Sequence, residues 1–319
     1  DHGIDFNQNC VNNTIANNTI SNHPDAAIYI SSGMRTIIEY NNLSGNPAGA
    51  IELRYGVGGI IRYNEISGCS GSVIYLYDST NQTIYRNNIT NNQGTAISTG
   101  MSNSGNNISY NIIRDNTGTA ISMGSNPCDN MIWKNTIDTN SIGILFTGGP
   151  YRNKIFNNSI TNSVNNGIEL SGSVSTPAVD NSIFYNNITD NHDHGISLED
   201  YCYRTTVYQN RIINNFDYGI NIAGVSNGSL IYRNDVFDNG LYGLRIQSGC
   251  LNNTVYLNNF TGNSQNADIL ESSTNLNTTS IGNYWDDYSD PDGGSDWDDN
   301  GIGDYPFAVG VAYDYLPIW

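Results

Sequence analysis

The sequence predicts an all-β fold: a right-handed, single-stranded parallel β-helix of about twelve coils, each 23–24 residues long, with an acidic, aromatic C-terminal cap. Three observations predict it. An Asn recurs in the pattern apolar-x-x-Asn-x-apolar at Asn18, Asn41, Asn64, Asn87, Asn111, Asn135, Asn158, Asn186, Asn210, Asn234 and Asn258. The first apolar residue of the next short segment keeps the same phase at Ile28, Ile51, Ile74, Ile97, Ile121, Ile144, Ile168, Ile196, Ile220, Leu244 and Ile269. Finally, the apolar segments are only three to five residues long, β-branched, and separated by Asn, Gly and Ser, with no helical spacing through them.

One such coil cannot bury its own apolar residues. Stacked coils, about 4.8 Å apart, set Ile on Ile and satisfy the backbone along the axis, giving a rod on the order of 55 to 60 Å long. Asn suits the bends because it tolerates left-handed dihedrals. Its amide both donates and accepts, so stacked Asn side chains can form a ladder. A second Asn follows at Asn46, Asn92, Asn116, Asn140, Asn191, Asn215, Asn239 and Asn263. Scaffolding thus accounts for the 52 Asn in 319 residues.

Only 13% of the chain is charged, and its net charge of −18 argues against nucleic acid or an anionic membrane surface as partner. No apolar run is long enough to span a bilayer. Asp-His-Gly-Ile-Asp-Phe (1–6) aligns with Asp-His-Gly-Ile-Ser-Leu (193–198), so the chain opens inside a coil and reads as a processed mature chain with an uncovered first edge.

Taken in order, the β-helix is expected over 1–282. One gap widens to 28 residues through an insertion at 171–181, and insertions on a solenoid map to one face. The next coil, 191–204, is the chemically richest. His192, Asp193, His194, Glu199 and Asp200, with Asp217 one coil on, could transfer protons or ligate a metal; a solvated polar turn is the bland alternative.

Residues 283–319 shift to Asp, Tyr, Trp and Gly. Asp296, Asp298, Asn300, Ile302 (through its carbonyl) and Asp304 have the spacing of an oxygen-ligand Ca²⁺ loop, with Gly301 permitting the turn. Phe307 stands where the last Glu of an EF-hand would be, so a different, structural Ca²⁺ site is expected. Eight Asp within residues 286–304 would repel one another without a cation. Trp285, Trp297 and Trp319 could cover the last coil.

Cys10, Cys69, Cys128, Cys202 and Cys250 fall in different, non-adjacent coils, too far apart for an intrachain disulfide. They are buried small residues or candidates for intermolecular bonding. An aromatic file, Tyr85, Trp133, Phe156, Phe184, Tyr208, Tyr232 and Tyr256, is interrupted by Ser109. It either stabilises the stack ring on ring or presents an interface or glycan track. Twelve N-glycosylation sequons occur, of which those at Asn42, Asn88, Asn187 and Asn259 directly follow a ladder Asn.

The repeat, with Gly-Asn-Tyr-Trp (282–285) and the ending Asp-Asp-Asn-Gly-Ile-Gly-Asp-Tyr-Pro (298–306), resembles the NosD-like branch of the carbohydrate-binding and sugar-hydrolase β-helix repeats, common in archaeal surface proteins. The resemblance implies export, a right-handed β-helix and a terminal acidic turn. Four His, four Met and five scattered Cys offer no clustered soft site for the copper attached to that name. The expected function is an exported, self-associating cell-surface structural protein without enzymatic activity. The alternatives are a carbohydrate-binding or carbohydrate-active β-helix, lyase, hydrolase or epimerase, and a metal-handling accessory protein.

Overall fold

The computed structural model describes residues 1–8, 10–288, 302 and 306–318. Each coil contributes one short strand to each of three parallel sheets, and no helix occurs among the described residues. Sheet 1 runs from Ile4–Asn7 to Gln265–Ile269 in 12 strands, sheet 2 from Thr14–Ala16 to Thr254–Tyr256 in 11, and sheet 3 from Thr19–Ser21 to Tyr284–Trp285 in 12. Neighbouring strands in a sheet come from successive coils, as a parallel β-helix requires.

The core is a set of apolar stacks. Ile51, Ile74, Ile97, Ile121, Ile144, Ile168, Ile196 and Ile220 pair in register along sheet 1, all fully buried. The last member of the series differs from expectation. Leu244 pairs with Ala267, and Ile269 instead continues the Ile246 row, two residues along the strand. The strand carries an apolar residue in both rows, half-buried Ala267 and fully buried Ile269, and the apolar pattern alone could not choose between them.

The Asn ladder is present as expected, but the left-handed geometry also expected of these Asn falls on their neighbours. The left-handed residue at each bend between sheets 2 and 3 is the one before the ladder Asn: Tyr40, Tyr63, Arg86, Tyr110, Lys134, Asn157, Tyr185, Gln209, Arg233 and Leu257 all have φ between 52° and 57°. The ladder Asn instead turns inward. Asn135 is 1% exposed. Its Oδ1 accepts from the backbone N and Nδ2 of Asn111, and its Nδ2 donates to Asn158 Oδ1 and to the carbonyls of Ile108 and Trp133. Asn suits the position because its amide joins two N–H donors to a carbonyl acceptor, where a Ser or Thr hydroxyl has a single donor. The second ladder repeats the arrangement from Asn46 to Asn263, with Cys69 and Ser163 substituting. A third, Asn106–Asn130–Asn153–Asn181, lies at the bend between sheets 1 and 2.

The repeat runs past the expected boundary at 282. Asn283 accepts from Asn258 as a further rung, and Trp285 stacks on Phe260 in sheet 3. Residues 306–318 fold onto this last coil through a hairpin, Phe307–Val309 with Ala312–Asp314. Val311 N donates to Ile269 O, and Ile318 N to Asn283 O. Of the expected Ca²⁺ ligands, Asp296, Asp298, Asn300 and Asp304 lie outside the described residues, as do Trp297 and Trp319. Ile302 is described and bridges to Ile318.

Candidate proton-transfer site on sheet 1

The outer face of sheet 1 gathers polar side chains over the coils from 166 to 268. Strand pairing sets Asn166, His194, Tyr218, Tyr242 and Gln265 in one row. It sets Glu169, Ser197, Asn221, Arg245 and Asp268 in a second. Earlier coils place Tyr29, Glu52, Tyr75, Ser98, Ser122 and Leu145 in that second row. The reactive residues therefore cluster because consecutive coils differ at repeat-equivalent outward positions, while the inward Ile stacks stay constant.

His194 is the centre of this group. Its side chain is 12% exposed, and its ring stacks on Tyr218 with centroids 4.4 Å apart. His194 Nδ1 lies 3.0 Å from Asp193 Oδ1, in an alignment too poor for a hydrogen bond. Asp217 follows Asp193 in the next coil, its N–H donating to the Asp193 carbonyl at 3.2 Å. An oxygen of each carboxyl group and a His194 ring nitrogen lie within 4.8 Å of one another. Arg245 donates to the Tyr218 hydroxyl, lies 5.1 Å from that ring's centroid, and pairs with Asp268 at 3.4 Å.

Burial and neighbouring charge push these groups in opposite directions. Burial lowers the His194 pKa, so the imidazole stays neutral to more acidic pH, although Asp217 and Glu199 oppose the shift. Burial raises Asp193, and the adjacent Asp217 adds to it. Burial also raises Glu169, with Glu199 and Asp193 nearby. A neutral base beside carboxyls that hold their protons longer is the pattern of an acid–base site.

Of the residues expected in this coil, Asp193, His194 and Asp217 converge and Glu199 borders them, accepting from Ser197 Oγ at 2.9 Å. His192 does not join them. It points into a separate hollow with Asn162, Asp190, Asn214 and Phe216. Tyr218, Arg245 and Glu169 were not singled out in the sequence; only strand register reveals that they share the face.

The other expected sites are dispersed. The aromatic file stacks on sheet 2, with Trp133–Phe156, Phe156–Phe184, Phe184–Tyr208, Tyr208–Tyr232 and Tyr232–Tyr256 centroids 4.8–5.7 Å apart and planes within 8°. Ring faces are therefore spent on one another and only rims remain for contact. Beyond Ser109, Tyr85 accepts from Arg62 at 2.7 Å. Cys69, Cys202 and Cys250 are fully buried, so no partner chain reaches them; burial pushes the Cys202 thiol up to about 12. The intermolecular expectation narrows to the part-exposed Cys10 and Cys128. Asn42, Asn88, Asn187 and Asn259 each open a sheet 3 strand, with Asn42 exposed and Asn88 Nδ2 donating to Glu65.

Comparison with known proteins agrees with this architecture. The family described as "Right handed beta helix region" matches residues 2–152. The family "Periplasmic copper-binding protein (NosD)" matches 129–242 and 171–290. Among solved structures, a periplasmic alginate epimerase (AlgG) superposes with TM-score 0.62 at 14% identity, covering 76% of this chain and 61% of that one. The mannuronan C-5 epimerase AlgE6 A-module of Azotobacter vinelandii gives 0.56 at 13%, covering 83% and 90%. The tailspike protein of E. coli bacteriophage HK620, in complex with pentasaccharide, gives 0.59 at 11%, covering 86% and 59%. This chain thus spans about three-fifths of that alginate epimerase. No curated protein matches significantly by sequence.

Copper is implied by the family description, and the described residues do not fit its soft cuprous form. Three thiols are sealed in separate coils. Among the described residues, the single group of three His, Cys, Asp or Glu with ligand atoms within 4.8 Å is Asp193, His194 and Asp217. One imidazole with two carboxylates is a borderline-to-hard donor set, unlike the thiolate and thioether ligands Cu(I) selects. Repeat, register and family match converge on one assignment: the chain belongs to the NosD-like parallel β-helix repeat proteins.

Proposed function

We propose that the protein is an exported, carbohydrate-active β-helix that abstracts a proton from a uronate-containing glycan at the outer face of sheet 1. The observation that carries this reading is the convergence of His194 with the carboxyls of Asp193 and Asp217, ligand atoms within 4.8 Å of one another, on the part-buried outer side of sheet 1. Their spacing favours one of two chemistries. Paired glycosidase carboxylates stand roughly 5–9.5 Å apart to flank a glycosidic bond. Oxygens of Asp193 and Asp217 within 4.8 Å fall short of that range, which supports reading the pair as one proton-holding unit.

His194 is then the base. It takes the proton from the sugar carbon next to the carboxyl group, and the electron pair delocalises into that carboxyl. A proton returned from Tyr218 or the Asp193–Asp217 unit gives the epimer; departure of the neighbouring glycosidic oxygen gives elimination. Arg245 and Glu169, whose pKa burial raises, lie in the neighbouring outward row and are the groups available to the substrate carboxyl. Fold neighbours named for alginate and mannuronan epimerisation support this class of substrate without fixing it.

Incubating the protein with mannuronan, polygalacturonate and a neutral glucan at weakly acidic pH, with NMR detection, tests it. Conversion of a uronate polymer, abolished by Asp217→Ala or His194→Ala and absent on glucan, is expected. No conversion of either uronate polymer would sink the reading.

A second reading, self-association, is favoured by the rims of the aromatic file and the thiols of Cys10 and Cys128. Sedimentation with and without reductant tests it, and a monomer in both conditions contradicts it. The structural Ca²⁺ proposed for 296–304 is tested by melting the protein with and without chelator; an unchanged melting temperature contradicts it.

A further inference from the structure

The hollow that takes His192 lies outside the proton-transfer group and is built differently. It occupies about 470 Å³ at the bend from sheet 3 to sheet 1, lined by Asn162, Asp190, His192, Asn214, Phe216 and Leu241 among others. The residue following the second-ladder Asn occupies the same place in each coil: His192 after Asn191, Phe216 after Asn215, Gly240 after Asn239. Their N–H groups donate to equivalent carbonyls, of Ser163, Asn191 and Asn215.

Gly240 breaks this row. A Cβ there would meet the Phe216 carbonyl oxygen at 1.9 Å, so close backbone approach demands glycine. The missing side chain also leaves the next position over Phe216 vacant. Phe216 is 73% exposed, whereas the rings of the sheet 2 file cover one another. Leu241, 44% exposed, borders the vacancy on the apolar side.

The rest of the lining is polar and neutral or acidic. Asn214 Nδ2 donates to Asp190 Oδ1, fixing both, while Asn162 and His192 complete the rim. Amide, imidazole and carboxylate groups beside an open aromatic face can match alternating hydroxyl donors and acceptors above an apolar ring face. Asp190 and the lack of a Lys or Arg among these lining residues favour a neutral sugar unit of the glycan at this place over an anionic one.

We propose that the slot over Phe216 is a sugar-binding subsite seating one pyranose ring of a glycan chain, with Asn162, Asp190, His192 and Asn214 contacting its hydroxyls. His192, two residues before His194 in the chain, connects this subsite to the coil of the reacting unit. The proposal rests on the carbohydrate reading above but concerns binding alone.

Isothermal titration of the full chain with hexasaccharides of mannuronan, galacturonan, cellulose and amylose tests it, alongside Phe216→Ala, Phe216→Trp and His194→Ala. Binding of at least one probe, weakened tenfold or more by Phe216→Ala, retained by Phe216→Trp and unchanged by His194→Ala, is expected. Phe216 is a surface residue, so the melting temperature of its variants should match the parent. No binding of any probe at millimolar concentration, or equal binding by Phe216→Ala, would overturn the subsite. Loss of turnover in His194→Ala with binding intact bears on the proton-transfer reading; loss of binding in Phe216→Ala bears on the subsite.

Discussion

The backbone N–H of Asn283 donates to Oδ2 of Asp314 at 2.8 Å, and that carboxylate ends the longest Asn ladder in the protein. The ladder has polarity: each Asn backbone N–H donates to the Oδ1 of the Asn in the next coil, so the N–H of the last member, Asn283, has no further Asn to donate to. The carboxyl oxygens of Asp314 answer that need as acceptors. Asp314 also takes Trp285 Nε1 at 3.0 Å and Leu316 N at 3.1 Å, and is fully buried.

Asp314→Ala leaves these donors unpaired and is expected to cost about 2–4 kcal/mol, read from denaturant unfolding. Asp314→Asn retains a carbonyl oxygen and should cost less. Burial raises the Asp314 pKa in the fold above its unfolded value. Its contribution to stability is therefore full below the ordinary carboxylate pKa and is lost as pH rises through the folded value. Asp314→Asn should remove that part of the pH dependence; an unchanged profile would assign it to other groups.

Adjacent residues at one bend should respond in opposite directions. Asn258 accepts from Asn234 and donates to Asn283, Ile231 and Tyr256, so Asn258→Ala is expected to cost about 3 kcal/mol. Leu257, 57° in φ and directly before it, gains from glycine. Relief of left-handed strain, about 1–2 kcal/mol, exceeds the extra unfolded-state entropy of about 0.4–1 kcal/mol, so Leu257→Gly should be neutral to mildly stabilising. Melting curves of the two variants decide this.

The His194 imidazole should titrate below the free value of about 6.5 in NMR spectra. Because its folded pKa is depressed, its stabilising contribution is present above the unfolded value and is lost as pH falls through the folded one. Asp217 opposes the shift, so Asp217→Asn should depress the midpoint further. A midpoint at or above the free value contradicts the burial that keeps His194 neutral.

The β-helix was legible in the sequence because its determinants are periodic and inward: Ile stacks and ladder Asn repeat in every coil. So was the ladder of donating and accepting amides, but not which residue takes the left-handed bend. Asn was expected to supply left-handed geometry, yet residues as bulky as Tyr185 and Leu257 take it. Asn side chains are needed where they accept and donate inside the wall. The coil from 192 stood out by composition, but Tyr218, Arg245 and Glu169 join His194 only through register across separate coils. Composition likewise grouped His192 with His194, although a bend separates their surroundings. Asp314 gave no signal, since its role depends on the polarity of a ladder that ends 31 residues earlier.

Deuterium exchange at the sugar carbon tests the proton-transfer claim most directly. A uronate polymer incubated with the protein in heavy water at weakly acidic pD is followed by NMR. Deuterium at the carbon bearing the carboxyl group, or unsaturated chain ends, is predicted for the parent protein, with neither produced by His194→Ala at an unchanged melting temperature. Absence of both from the parent, or equal exchange by the variant, would contradict a base at His194.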